Sequence, residues 1–349
     1  MQNKNIRYLQ IKAGNLKNHK IIEEDLKPLS DSKIRIQVKA VGLNFADIFA
    51  CLGLYSATPK GSFSPGLEFS GIITEIGKNV KSSFKIGDEV IGTTRFGALS
   101  KFVDVGSNYL YPKPKEWSFE EAASFFVQSL TAWYGLVELG RLNNNSYVLL
   151  QSAAGGVGLH ALQILHHFNA KYCAIIGSTK KIEILKSYGV DPNDILIRNN
   201  NAKIFFKDLQ NHLKQHKKRG FDIVFDAVSG KFFKPQFQLL NRGGIYVIYG
   251  AADLMSNSNK PNYLWLAYKY LTFYRILPLN LIDRNYGIFG FNLIWLYDKT
   301  ELFQRMIRDM QKINWKKPYI AKVFDFNDSY DALKFLQSGE STGKVVIKL

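Results

Sequence analysis

Apolar and polar residues follow two different periods along this chain, and the change of period divides it. Ile34, Ile36 and Val38 alternate with Arg35, Gln37 and Lys39, the period-two pattern of a strand with one buried face. Residues 71–77 and 89–92 read as further strands bracketed by glycine, and 100–105 as a fourth. Short strands punctuated by Gly and Pro predict a compact, partly open barrel over residues 1–125. Pro112 and Pro114 break that pattern. Ser118 and Glu121 then have the spacing of an N-cap and its capping-box partner, opening helices predicted at 120–126 and 130–139.

From Tyr147 onward the texture is β-α-β. Strands at 147–150, 172–176, 221–226 and 244–249 alternate with helices at 159–168, 181–188 and 235–240. Such alternation predicts a parallel sheet covered by helices on both faces. A strand over 287–296, a helix over 300–312, a strand at 319–324, a helix at 327–337 and a strand at 344–349 complete the reading.

Composition narrows the picture. At 349 residues there is room for two domains. Two cysteines, Cys51 and Cys173, exclude a disulfide framework and a four-cysteine zinc site, and fit a reducing compartment. The net charge of +17 is spread along the chain, with modest clusters at 214–219 and 312–317. Without a basic arm or finger spacing it reads as a solvated basic surface, and a nucleic-acid partner is not expected. The polar, basic stretch 1–8 has no apolar run behind it, so a signal peptide is not expected. No run reaches about 18 uncharged apolar residues, the usual spanning length.

The candidate chemistry begins where the first apolar run of the β-α-β region meets glycine. Ala154, Gly155, Gly156, Val157 and Gly158 lie between a strand and a helix, where backbone N–H groups can face a pyrophosphate. The next strand ends about 20 residues on, where a residue that reads the ribose is expected. An NAD-selective site carries Asp or Glu there. Here Gly177 is followed by Ser178, Thr179, Lys180 and Lys181, which attract a 2′-phosphate, so NADP(H) is favoured over NAD(H).

Several motifs together carry a resemblance. Asn44-Phe45-Ala46-Asp47 with Gly53-Leu54-Tyr55, Pro65-Gly66-Leu67-Glu68-Phe69-Ser70-Gly71, Gly87-Asp88-Glu89-Val90 and Ala153-Ala154-Gly155-Gly156-Val157-Gly158 occur in that order. The chain resembles the zinc-free quinone oxidoreductases of the medium-chain dehydrogenase/reductase superfamily. Gly290-Phe291-Asn292-Leu293, Lys317-Pro318-Tyr319-Ile320 and Gly343-Lys344-Val345-Val346 are similar to the branch of synaptic-vesicle membrane protein homologues. The resemblance implies an α/β protein of two parts. One is a GroES-like β-barrel substrate domain over 1–125, completed by 316–349. The other is a Rossmann domain, a doubly wound parallel sheet, over 126–315.

It also implies the chemistry. Zinc-dependent relatives place Cys in the first motif and Gly-His-Glu in the second; this chain has Asn44 and Leu67-Glu68. His19, His160, His166, His167, His212 and His216 lie elsewhere, and catalytic zinc needs three protein ligands, so no catalytic metal is expected. The expected reaction is hydride transfer from NADPH to a conjugated acceptor, a quinone or enone, with an enoyl thioester as the alternative. Tyr55 is the candidate proton or hydrogen-bond donor, with an aromatic pocket wall as its other reading; Phe49 stands where relatives often carry a second tyrosine. Asn44 and Asp47 are expected to orient substrate or cofactor. Further cofactor contacts implied by the resemblance are Gln128, Thr131, Tyr134, Arg198, Gly250, Ala251, Phe289, Phe291 and Lys344.

Residues 262–285 mix leucine and aromatics with Lys269 and Arg275. That composition suits a lid, a subunit contact or an interfacial helix on an anionic membrane. The expected protein is a cytoplasmic homodimer pairing the strand near 287–295, with a peripheral membrane or lipid-handling protein that keeps the reductase fold as the alternative.

Overall fold

The computed structural model describes residues 4–349. In chain order, β1 (Lys4–Gln10) and β2 (His19–Asp25) form an antiparallel hairpin. β3 (Ile34–Gly42) leads into helix α1 (Phe45–Cys51), and β4 (Glu68–Ile76), β5 (Glu89–Thr93), β6 (Phe102–Val105) and β7 (Leu110–Pro112) follow. Helices α2 (Phe119–Ala122) and α3 (Phe126–Trp133) come next, the latter continuing into a π-type turn at Tyr134–Leu139.

The β-α-β region contains β8 (Tyr147–Leu150), α4 (Gly156–His167), β9 (Lys171–Ile176), α5 (Ile182–Ser187), β10 (Ile195–Ile197) and α6 (Ala202–Gln215). It continues with β11 (Phe221–Asp226), α7 (Phe233–Phe237), β12 (Leu240–Ile248), α8 (Tyr263–Thr272), α9 (Pro278–Ile282) and β13 (Gly287–Gly290). α10 (Thr300–Met310), β14 (Ile320–Asp325), α11 (Ser329–Gln337) and β15 (Lys344–Lys348) close the chain.

These elements fall into two compact units. One runs to Val127 and includes Ser256–Asn262 and Lys316–Leu349; the other holds Gln128–Met255 and Tyr263–Trp315. In the first unit the sheet order is β14-β15-β3-β4-β5-β7, with β6 also pairing β3. β15 runs parallel to β14 and antiparallel to β3, so the last strand lies inside the sheet. Ile34, Ile36 and Val38 are all buried as the alternation predicts, but Arg35 between them is buried too, paired with Glu75 and Asp104.

In the second unit six strands run parallel in the order β10-β9-β8-β11-β12-β13. β8 is buried along its whole length, as a central strand covered on both faces should be. The chain moves outward from β8 to β9 on one side and later resumes at β11 on the other. The reversal creates a crevice at the carboxyl ends of the strands, where open α/β sheets bind ligands.

Several elements differ from the sequence reading, among them β1, β2, α1, β7 and β10, which it did not anticipate. The strand expected over 287–296 stops at Gly290, and Leu293–Leu296 forms a 3-10 turn that buries Leu293, Ile294 and Leu296. The helix expected over 120–126 is the four-residue α2, opened by the Ser118–Glu121 capping box as read. α6 was not anticipated: its apolar stripe is narrow, Phe205, Leu209 and Leu213, on an otherwise Lys- and Asn-rich surface. Asn201 caps it by accepting from the N–H groups of Lys203 and Ile204. Among the described residues no helix is long and apolar enough to cross a membrane.

Candidate active site

In the second unit the turn after β8 is built by close approach. Ser152 takes a φ of +53°, and α4 opens at Gly156 with Gly155 as N-cap and no side chain capping it. A Cβ on Gly158 would stand 2.4 Å from the Ser152 carbonyl oxygen and 2.5 Å from that of Ala153. A Cβ on Gly156 would stand 2.1 Å from the Gln128 side-chain nitrogen. Glycine thus lets the helix start lie directly against the strand end, and leaves its first N–H groups to an anion. Ala154 is buried beneath it. Gln128 is brought to the turn, and buried Thr131 lies three residues further along α3.

At the end of β9, Ser178 caps a 3-10 turn over Thr179–Lys181 by accepting from the Lys180 N–H at 3.3 Å. Lys180 is exposed and Lys181 half-buried. Burial first, and the Arg198 charge second, push the Lys181 pKa down. Arg198 follows β10, and its N–H donates to the Ile176 carbonyl at 2.7 Å. Its guanidinium stands within 3.7 Å of where a Cβ on Gly177 would be. The parallel pairing of β9 and β10 therefore gathers Lys180, Lys181 and Arg198 at one strand end.

The Arg198 guanidinium is held from behind. It donates to Gln151 Oε1 at 3.0 Å and lies 4.9 Å from the centre of the Phe232 ring. Gln151 donates to Gln236 Oε1 at 3.0 Å, and Gln236 lies within 3.1 Å of the Tyr246 hydroxyl. Tyr246 donates to Asp226 Oδ2 at 2.6 Å, and Asp226 Oδ1 accepts from the N–H groups of Val228 and Ser229. Gln151, Asp226, Gln236 and Tyr246 are all fully buried. This chain of polar groups escaped the sequence reading. Its one visible trace is an acidic residue, Asp226, ending the apolar run of β11.

The remaining second-unit candidates separate into a ring cluster and backbone positions. Tyr134 meets Phe291 edge-on at 4.9 Å, and Phe291 lies 6.5 Å from Tyr249, which stacks on Phe225 at 4.1 Å. A Cβ on Gly250 would stand 2.6 Å from the Ala227 carbonyl oxygen. Ala251 begins the 3-10 turn Ala252–Leu254, and Phe289 is partly exposed on β13.

The first unit gathers Asn44, Asp47, Glu68 and Lys344. Asn44 starts α1, and its N–H donates to Asp47 Oδ2 at 2.8 Å. Asp47 Oδ1 accepts from the Gly66 N–H, also at 2.8 Å. Oδ2 thus closes the start of α1 and Oδ1 ties it to the loop before β4, and Asp47 is fully buried. Burial pushes its pKa up to about 6, opposed by those two N–H donors and the Lys344 charge.

The Asn44 side chain donates to Glu68 Oε1 at 3.0 Å and accepts from Lys344 Nζ at 2.8 Å. Lys344 pairs with the same Glu68 oxygen, and Glu68 Oε2 accepts from the Val127 N–H at 3.0 Å. Lys344, expected among cofactor contacts, is therefore a buried ammonium engaged by Asn44 and Glu68, and burial pushes its pKa down. Tyr55 is half-buried. Burial first, then the Asp47 charge, push its pKa up and keep its proton in place.

Residues of two absent groups can be tested against this geometry. The backbone cradle at Gly155–Gly158 suits the pyrophosphate of a nicotinamide dinucleotide. A zinc ion does not suit the first unit. Leu67 offers no donor atom, Asn44 offers only an amide, and the Glu68 carboxylate already neutralises the Lys344 ammonium.

A family model described as an alcohol dehydrogenase GroES-like domain matches residues 30–115. A second, described as a zinc-binding dehydrogenase, matches 156–280. The chain is 31% identical over 319 residues to the rat synaptic vesicle membrane protein VAT-1 homolog, covering 90% of this chain and 76% of that protein. The zebrafish counterpart is also 31% identical, over 91% of this chain and 64% of its own length. The solved CurK enoyl reductase superposes with a TM-score of 0.82 at 26% identity, over 99% of each chain. A mycobacterial protein complexed with NADPH shares the fold, with a TM-score of 0.83 at 20% identity over 99% of this chain and 100% of that one.

Proposed function

Because the chain belongs to the medium-chain dehydrogenase/reductase superfamily, we propose that it is a zinc-independent, NADPH-dependent oxidoreductase that reduces a conjugated carbonyl, a quinone or an enone. The observation that carries the cofactor choice is the trio Lys180, Lys181 and Arg198 at the end of β9, with no carboxylate among residues 177–181. Three cations there favour a 2′-phosphate, and no carboxylate stands there to accept from a bare 2′-hydroxyl.

Bound NADPH supplies the hydride. The chain supplies position and charge. The start of α4 receives the pyrophosphate on its first N–H groups, and the Arg198 guanidinium is held in place by Gln151. Tyr55 keeps its proton and gives a hydrogen bond, then the proton, to the acceptor oxygen as negative charge builds there. A conjugated acceptor needs no Lewis acid for this step. The buried Lys344 ammonium holds Asn44 and Glu68 where zinc-dependent relatives place ligands.

The test is NADPH oxidation by the whole chain against quinones, enones and enoyl thioesters. Turnover of quinones or enones is expected, and preference for thioesters would move the assignment to an enoyl-thioester reductase, a reading to which the fold shared with the CurK enoyl reductase lends support. Lys180→Ala with Lys181→Ala should weaken NADPH at least tenfold more than NADH; equal loss for both would overturn the cofactor choice. Tyr55→Phe should lower kcat about a hundredfold with NADPH affinity unchanged, whereas a loss of only a few-fold would make Tyr55 a pocket wall.

A second reading concerns location. α8 and α9 expose a row of large apolar side chains, among them Leu264 at 88% and Tyr270 at 79%. This apolar surface with basic neighbours supports peripheral contact with an anionic membrane or pairing of two copies. Co-sedimentation with anionic vesicles and measurement of solution mass, each compared with Leu264→Asp, separate the two.

A further inference from the structure

The cofactor site leaves one cluster of metal-type donors unused. Asp194, His212 and His216 each bring one ligand atom to within 4.8 Å of the others. The two histidines are four residues apart at the C-terminal end of α6 and so share a face. Their rings stack with centroids 4.2 Å apart. Asp194 comes from the 3-10 turn Pro192–Asp194 just before β10. We propose that Asp194, His212 and His216 bind one divalent transition-metal ion of the kind that prefers imidazole, namely zinc, copper or nickel.

The hydrogen bonds around the cluster assign its lone pairs. His216 Nε2 lies 3.2 Å from the Asn193 carbonyl oxygen. A carbonyl can only accept, so Nε2 carries the hydrogen and Nδ1 has the lone pair of the neutral ring. That Nδ1 faces Asp194 Oδ1 at 3.7 Å, too long for a charge-assisted hydrogen bond. It is close to the roughly 3.4 Å between two ligands held about 2.1 Å from one tetrahedral ion.

His212 is anchored in the same manner. Its Nε2 lies 2.8 Å from the Tyr147 hydroxyl, which can accept from Nε2–H, and in that tautomer Nδ1 carries the lone pair. A ring nitrogen bonded behind the ligand is the usual outer support of a metal-bound histidine.

The position suits a cation in two further respects. The carbonyl end of α6 carries the negative end of the helix dipole. His216 and Asp194 keep 26% and 31% of their side chains exposed, which gives the ion an entry path and room for water as a fourth ligand. His160, which lies beside Trp315, and the adjacent pair His166 and His167 contribute nothing to the cluster. A bound ion would staple the end of α6 to the turn before β10, at Asp194, four residues before Arg198.

Calorimetric titration of Zn²⁺ into tag-free, chelator-treated full chain is the test, with Co²⁺ absorption reporting geometry. One equivalent should bind, and His216→Asn and Asp194→Asn should each weaken it at least tenfold. His167→Asn should leave it unchanged. His216 and Asp194 are half-exposed, so circular dichroism of their variants should match the parent. Absence of a one-to-one site, or one that survives both substitutions or is lost with His167, overturns the proposal. None of these readouts depends on the reductase assignment.

Discussion

Replacing Lys344 with Met tests the buried cluster of the first unit. The Lys344 and Glu68 side chains are each 1% exposed, so the substitution leaves a carboxylate in the core without its cation. Breaking a buried pair from one side costs about 3–5 kcal/mol. Glu68 retains the Asn44 amide and the Val127 N–H, each at 3.0 Å, which places the expected loss near the lower end, about 3 kcal/mol. Adding Glu68→Gln removes the stranded charge and keeps an acceptor for Val127, so the double variant should be more stable than Lys344→Met alone. pH gives a second signature. The stranded carboxylate takes up a proton on folding, so the stability of Lys344→Met should fall more steeply than the parent's as pH rises through the carboxylate range, and Glu68→Gln should remove the added slope. Urea unfolding at two pH values measures both. A cost below about 1 kcal/mol with the slope of the parent would refute the reasoning.

The glycine turn offers a contrast of two substitutions. Gly158→Ala drives a Cβ into backbone carbonyls at 2.4 and 2.5 Å and should cost about 1–3 kcal/mol and abolish NADPH binding. Gly156→Ala meets the Gln128 side chain, which can rotate, so calorimetry should show weaker NADPH binding with smaller loss of stability. Tyr246→Phe removes a donor from fully buried Asp226 and should cost about 1.5–3 kcal/mol by denaturant unfolding. Asp47, raised from 3.8 to about 6, binds its proton more tightly in the native state than in the unfolded chain. Its contribution to stability should therefore fall as pH rises between those values, and Asp47→Asn should remove that slope in pH-dependent unfolding.

The sequence disclosed what repeats or what stands at a fixed offset. The period-two run in β3, the apolar runs of β8 and β11, and the interval from the glycine turn to Lys180 and Lys181 were all visible. What escaped it depends on pairing across long separations. Arg198 was placed only through a resemblance, because nothing near it in sequence says that β10 lies beside β9. Lys344 was expected among the cofactor contacts, and its partners Asn44 and Glu68 lie 300 and 276 residues away, beyond the reach of any local pattern. α6 was hidden by its Lys-rich surface, and with it the meeting of His212 and His216 with Asp194.

The place of β15 bears on how the chain is made. β4 and β6 pair with β3 early, but the β3 edge at Ala40–Gly42 waits about 300 residues for β15, and β14 lies beyond that strand. A chain emerging from the ribosome can complete most of the parallel sheet first, because those strands lie within one stretch between residues 147 and 290. The first unit must meanwhile hold an open edge at β3. A nascent chain arrested before Lys344 should therefore show a protease-resistant second unit and a cleavable first one. Chaperone dependence should concentrate in that interval, when the glycine turn is ready for cofactor and the strand that supplies Lys344 has yet to emerge.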